Sequence, residues 1–135
     1  MADDGYRVMI VDDDPLQLSL VGRTLRGDGF RVVSSDSTLG VTNTVRTFQP
    51  HLILLDVRIP ELPGDRLVPL LRRTAPDTLL ILYSACDHDQ LRRLSAQVSA
   101  DGWISKSEEI GKLSKKLKDL ILKDLAAKAQ RTPKS

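Results

Sequence analysis

Three short runs, Arg7 to Val11, His51 to Leu55 and Thr78 to Tyr83, are apolar almost throughout, and each stops at a polar residue: Asp12, Asp56 and Ser84. Alternating apolar and polar residues would mark a strand wetted on one face. Continuous apolar character marks one buried on both faces, which calls for a parallel sheet between two layers of helix. Weaker runs at Phe30 to Ser34 and Gly102 to Ile104 supply a second and a fifth strand.

The intervening segments carry helical spacing. Leu18, Val21 and Leu25 follow Asp14-Pro15, an N-cap with proline at the first helical position, and Gly27-Asp28-Gly29 ends that helix. Thr38 to Phe48 reads as a second, β-branched helix. Leu67, Leu70 and Leu71 mark a third after the Pro60 to Gly64 turn, and Leu91, Leu94 and Val98 a fourth over Asp87 to Val98. The last is a long amphipathic helix from about Ser107 to about Lys128, with Ile110, Leu113, Leu117, Leu120, Ile121 and Leu125 as its apolar stripe. The predicted architecture is an α/β three-layer sandwich: a five-stranded parallel sheet of flavodoxin-like order 2-1-3-4-5 with right-handed crossovers. Residues 1–128 form one domain with an extended C-terminal helix, and 129–135 a basic polar tail.

Composition agrees with one domain. A chain of 135 residues, 41% hydrophobic, buries enough surface to fold without a disulfide or a structural metal. Its single cysteine, Cys86, excludes an internal disulfide and a Cys-rich zinc site. Residues 1–6 lack the pattern of a secretory signal, and no apolar run is long enough to span a membrane, so a cytoplasmic location is expected. The net charge of +2 conceals an asymmetry: residues 1–111 hold 12 basic and 16 acidic side chains, residues 112–135 hold 8 and 2. The body therefore lacks the basic patch of a nucleic-acid binder. Eleven of those 12 bases are arginine; the twelfth is Lys106.

In open parallel sheets, ligands sit at the carboxyl ends of the strands where strand order reverses, here between the first and third strands. Asp12 and Asp13 follow the first and Asp56 the third. Two unit charges about 4 Å apart repel by roughly 4 kcal/mol at an effective dielectric near 20. A packed carboxylate trio therefore raises a pKa or binds a cation, and oxygen ligands without His or Cys favour Mg²⁺ or Mn²⁺. Ser84 and the backbone N–H of Ala85 end the fourth strand, and Lys106 ends the fifth. Metal, cation and oriented donors are the parts that phosphoryl transfer needs.

From about Tyr6 to Leu125 the sequence resembles the response-regulator receiver domains (CheY-like) of two-component signalling. Asp12 and Asp13 match the family's acidic pair, Asp56 its phosphoacceptor, Ser84 its switch hydroxyl and Lys106 its lysine; Pro60 and Gly64 fall where the family keeps a proline and a glycine. The resemblance implies that Asp56 takes a phosphoryl group from a histidine kinase or phosphotransfer protein. It implies Mg²⁺ bound directly by Asp13, Asp56 and the backbone carbonyl of Arg58 and chiefly through water by Asp12, with Lys106, Ser84 and the Ala85 backbone on the phosphoryl. It makes the aromatic three residues before the lysine, Trp103, a switch residue, although Tyr or Phe is commoner there, and leaves Tyr83 as a second reporter or strand core. Arg58 and Cys86 stand where the family tunes phosphoryl lifetime, and Ser107 replaces the proline common after the lysine.

The direct expectation is a single-domain response regulator, not an enzyme beyond its own phosphoryl uptake and loss. It would act on a downstream protein or a second copy through the surface of the fourth helix, fifth strand and fifth helix, with Leu91, Leu94, Arg92 and Arg93 on that face. Two other readings stand beside it. One is a receiver-shaped scaffold that works without phosphate. The other is an aspartate-nucleophile phosphohydrolase, suggested by the Asp12-Asp13-Asp14 DxD pattern but weakened by the Pro15-Leu16 that follows.

Overall fold

A computed structural model of the chain describes residues 5–37, 39–56 and 64–131. Within them, strands β1 (Arg7–Val11), β2 (Arg31–Ser35), β3 (Leu52–Leu55), β4 (Leu79–Ser84) and β5 (Gly102–Ser105) form one parallel sheet in the order β2-β1-β3-β4-β5. Helices α1 (Pro15–Gly27), α2 (Val41–Phe48), α3 (Gly64–Thr74), α4 (His88–Val98) and α5 (Leu113–Arg131) alternate with the strands. This is the flavodoxin-like architecture expected from the apolar runs.

The two-sided burial that the runs demanded is seen in β1. Val8 and Ile10 pack with Val21 and Leu25 of α1 and with Leu113, Leu117 and Ile121 of α5. Met9 and Val11 point the other way, into a second cluster with Val41 and Val45 of α2, Leu67, Val68 and Leu71 of α3, and Leu91 of α4. Truncating one such leucine to alanine costs about 2–5 kcal/mol. Two dry layers therefore hold the sheet rigid, and its strand ends become fixed mounts for polar groups.

Helix starts follow local chemistry. The Asp14 side chain accepts the Leu16 N–H ahead of Pro15, and Asp87 accepts the Gln90 N–H at the head of α4. Three expectations change. The second helix begins at Val41: Gly40 takes the left-handed conformation (φ 77°), which a helix cannot continue through, and Thr38 lies outside the described residues. The last helix begins at Leu113, because Ser105 draws the chain into a turn: its Oγ accepts the Ser107 N–H and its carbonyl the Glu108 N–H, before a 3₁₀ turn at Ile110–Lys112. In the third helix, Leu70 is exposed while neighbouring Val68 takes its place in the core. The Pro60 to Gly64 turn lies outside the described residues as far as Pro63.

Candidate functional site

The sheet's own ladder sets the site. Val11 and Leu55 are partners in register, the Asp56 N–H donates to the Val11 carbonyl, and the Asp12 N–H donates to the Ser35 carbonyl. Asp12 and Asp56 thus leave two adjacent strands at the same height. At the neighbouring edge the Lys106 N–H donates to the Ser84 carbonyl, which fixes the lysine relative to β4.

Asp12 and Asp56 are buried, at 3% and 8% exposure, and Asp13 is exposed. One oxygen of each carboxylate lies within 4.8 Å of one from each of the others, the one such acidic trio among the described residues. Lys106 reaches across from β5: its Nζ donates to Asp12 Oδ2 at 2.5 Å and to Asp56 Oδ2 at 3.3 Å. Asp12 Oδ1 accepts the Asp14 N–H at 3.0 Å. Burial lifts the Asp12 carboxyl above its ordinary value, and the hydrogen bonds from Lys106 and the Asp14 backbone only partly oppose this. Burial by itself would lower the Lys106 ammonium; the hydrogen bonds and charges of Asp12 and Asp56 outweigh it and hold the lysine above its ordinary range. Tyr83 lies with its ring 5.7 Å from Lys106 Nζ, and burial raises its phenol.

The acidic trio against one ammonium leaves two negative charges, to which Asp14 adds a third, in a pocket of about 620 Å³ lined by Asp12, Asp13, Asp14, Gln17, Asp56, Ser84, Ala85, Lys106 and Ser107. The donor set fits a hard divalent cation: oxygen only, two negative charges to balance, and a spread that closes around a small ion with little movement. Gln17 and Ser107 join this lining without any signal in the sequence, since only the turn of α1 and the Ser105 turn bring them there.

The other candidates divide. Ser84 is buried and lines the pocket; its Oγ lies 3.5 Å from Cys86 Sγ, which places the thiol beside the hydroxyl rather than in the lining. Trp103 is not brought into the pocket. It faces the α3 and α4 side, half-buried, with His88 edge-on at a ring separation of 5.1 Å. Tyr83 belongs to the opposite core, toward α5. Leu91 is completely buried, so it cannot serve the docking face proposed for it; Arg92 and Arg93 remain exposed there, and Leu94 is half-buried. Arg58 lies outside the described residues.

A doubly wound parallel sheet with an acidic trio at its topological switch point, two of its members joined by one lysine, defines an open α/β domain with a polar site at the carboxyl ends of its strands. Residues 8–118 match the response regulator receiver domain family, and the chain belongs to it. It is 32% identical over 116 residues to the "Positive alginate biosynthesis regulatory protein" of Pseudomonas aeruginosa, covering 81% of this chain and 46% of that protein. It is 31% identical to "Transcriptional regulatory protein PrrA" of Mycobacterium leprae, covering 85% and 49%. The chain thus spans about half the length of these relatives. In fold it superposes on a CheY-like receiver domain protein from Methanospirillum hungatei with TM-score 0.81 at 21% identity, covering 92% of this chain and 99% of that one. A response regulator from Thermotoga maritima gives 0.76 at 25% identity, covering 87% and 98%. The chain is a receiver domain of the two-component signalling class. Among the described residues no helix is long and apolar enough to cross a membrane.

Proposed function

We propose that Asp56 is a phosphoacceptor whose Mg²⁺-dependent phosphorylation switches protein–protein contacts. In this reading an Asp56 carboxylate oxygen forms a bond to phosphorus while the P–N bond to a phosphohistidine of a partner kinase or phosphotransfer protein breaks, the electron pair leaving with the imidazole nitrogen. The observation that carries it is the Lys106 ammonium shared by Asp12 and Asp56 in the pocket that Ser84 also lines. That ammonium keeps a positive charge beside the nucleophile and beside the position an equatorial phosphoryl oxygen would take. Asp12, Asp13 and Asp56 would hold Mg²⁺, with the Arg58 carbonyl as a further ligand. The bound ion would supply charge neutralisation at the phosphoryl oxygens. Ser84 and the Ala85 N–H are the remaining phosphoryl donors.

The output would be a downstream protein or a second copy docking on the surface of α4, β5 and α5, read through Ser84 and Trp103, with Arg58 and Cys86 tuning phosphoryl lifetime. Incubation with acetyl phosphate and Mg²⁺, followed by intact-mass measurement, tests the proposal. One phosphoryl group should be gained by the wild type, and none by Asp56→Asn or with Mg²⁺ chelated. No gain under any condition would sink the reading in favour of a scaffold, and sustained turnover of a small phosphate ester would favour a hydrolase. Trp103 is the only tryptophan. Its emission should therefore change in step with the mass gain if the ring moves from His88; unchanged emission on full phosphorylation would remove Trp103 from the switch.

A further inference from the structure

The larger of the two main cavities lies at the other end of the sheet, where strands begin and helices end. It measures about 740 Å³, within the range of roughly 300–1,000 Å³ typical of small-molecule sites. Its accessible apolar surface comes from Ala75, Pro76 and Leu125, the last 39% exposed, over a floor of buried Val45, Pro50 and Ile121. Ile121, Leu125 and Lys128 all lie past residue 118, where the match to the receiver family stops. One wall is therefore built by the C-terminal part of α5, beyond the residues that the family match covers.

The polar part of the lining favours an anion. Arg7 Nε donates to the Gln49 carbonyl oxygen at 2.8 Å, which holds the guanidinium while leaving its two terminal nitrogens without a partner among the described residues. Arg46 is exposed and makes no hydrogen bond or ion pair among the described residues. Two carboxylates share the lining. Asp124 is ion-paired with Lys128 at 2.6 Å, so that pair is internally neutral, and Asp77 is a single negative charge against Arg7 and Arg46. Arg46 sits in the last turn of α2 and also complements that helix's dipole. Arg7 begins a strand and has no dipole to serve.

We propose that this cavity binds a small organic anion with an apolar body, its phosphate or carboxylate gripped by Arg7 and Arg46 and its body lying on Ala75, Pro76 and Leu125. The site is independent of Asp56 and of its chemistry. Arginine forks match both oxyanion types in a bidentate manner, and the apolar wall gives an aromatic or aliphatic body a reason to stay.

The test uses the full chain in magnesium-free buffer with a chelator, where the acidic pocket repels anions, and titrates phenyl phosphate and benzoate against backbone amide shifts. At least one probe should bind saturably, with shifts gathered at residues 45–51, 74–78 and 121–128. Arg46→Glu, an exposed change whose structural cost is the lost dipole contact at the end of α2, should weaken it at least tenfold, and Arg7→Gln combined with Arg46→Gln should do so more strongly. The contrast between the probes identifies the head group. Absence of saturable binding by either probe, unchanged affinity in Arg46→Glu, or equal affinity for uncharged phenol would each overturn the proposal.

Discussion

The two ends of the sheet are built from the same alternation yet carry opposite charge. At the carboxyl ends of the strands, helices begin and aspartates gather: Asp14 and Asp87 accept backbone N–H groups of α1 and α4. At the amino ends, helices finish among arginines: Arg26, Arg46, Arg72 and Arg73 all stand in last turns. Helix dipoles alone would produce this polarity. What they do not produce is an acid that caps a helix badly and a lysine well out of the dipole's way. Asp12 and Asp56 are buried and share one ammonium, Asp12 accepting the Asp14 N–H besides, whereas Asp14 and Asp87 are exposed and serve backbone N–H groups at helix starts. The contrast separates acids that the fold needs from acids that strain it, and straining acids mark chemistry.

Removing the ammonium should break that contrast most severely. Lys106→Met leaves Asp12 and Asp56 facing each other at low exposure, and losing one partner of a buried pair costs about 3 kcal/mol or somewhat more. Urea midpoints in chelator should fall accordingly, and Mg²⁺ should recover part of the loss. A midpoint equal to wild type would mean that the acids are not ionised together and that the pocket is not strained.

Asp13→Asn should act in the opposite direction and more weakly. It removes one of the trio's two uncompensated negative charges at an exposed position, so the magnesium-free protein should become more stable by up to about 1 kcal/mol. Adding Mg²⁺ should reverse the order, because wild type gains the linkage free energy of a tighter site. If Mg²⁺ stabilises both proteins equally, Asp13 is not a ligand, and the acidic end loses its distinction from an ordinary cluster of caps.

Much of this was legible in the chain itself. Continuous apolar runs and the residues at which they stop were enough to call for a parallel sheet and to bring Asp12, Asp13, Asp56, Ser84 and Lys106 to one end, because parallel strands all finish on the same side; which strands are neighbours came with the family resemblance. Contacts between side chains of different helices and strands left no such trace. Helical spacing could not tell Leu91, sealed in the core, from a docking residue, nor Leu70 from Val68, since the two flank the Leu67 and Leu71 face on opposite sides and a modest rotation of the helix trades one for the other. The choice of Lys106 to sit nearer Asp12 than Asp56, the His88 ring against Trp103 and the Tyr83 ring near Lys106 depend on rotamers and on turn geometry at Ser105, which no periodicity encodes.

The smallest expected effect sharpens the comparison from the basic end. His51 Nδ1 accepts the Arg7 N–H at 3.0 Å, and Tyr6 lies edge-on to the ring. Burial, reinforced by the charges of Arg7 and Lys128, lowers the imidazole below its ordinary value of 6.5. The unfolded chain therefore takes up this proton more readily than the folded one. Stability from neutral His51 is complete above pH 6.5 and is lost as the pH falls through the lowered folded value. His51→Asn retains a side-chain acceptor without a proton to gain, so between pH 7.5 and 5.5 its urea midpoint should decline less steeply than that of wild type. Identical slopes would show that the imidazole feels no excess positive charge. The amino end would then be electrostatically ordinary, with its arginines answering helix termini and nothing else.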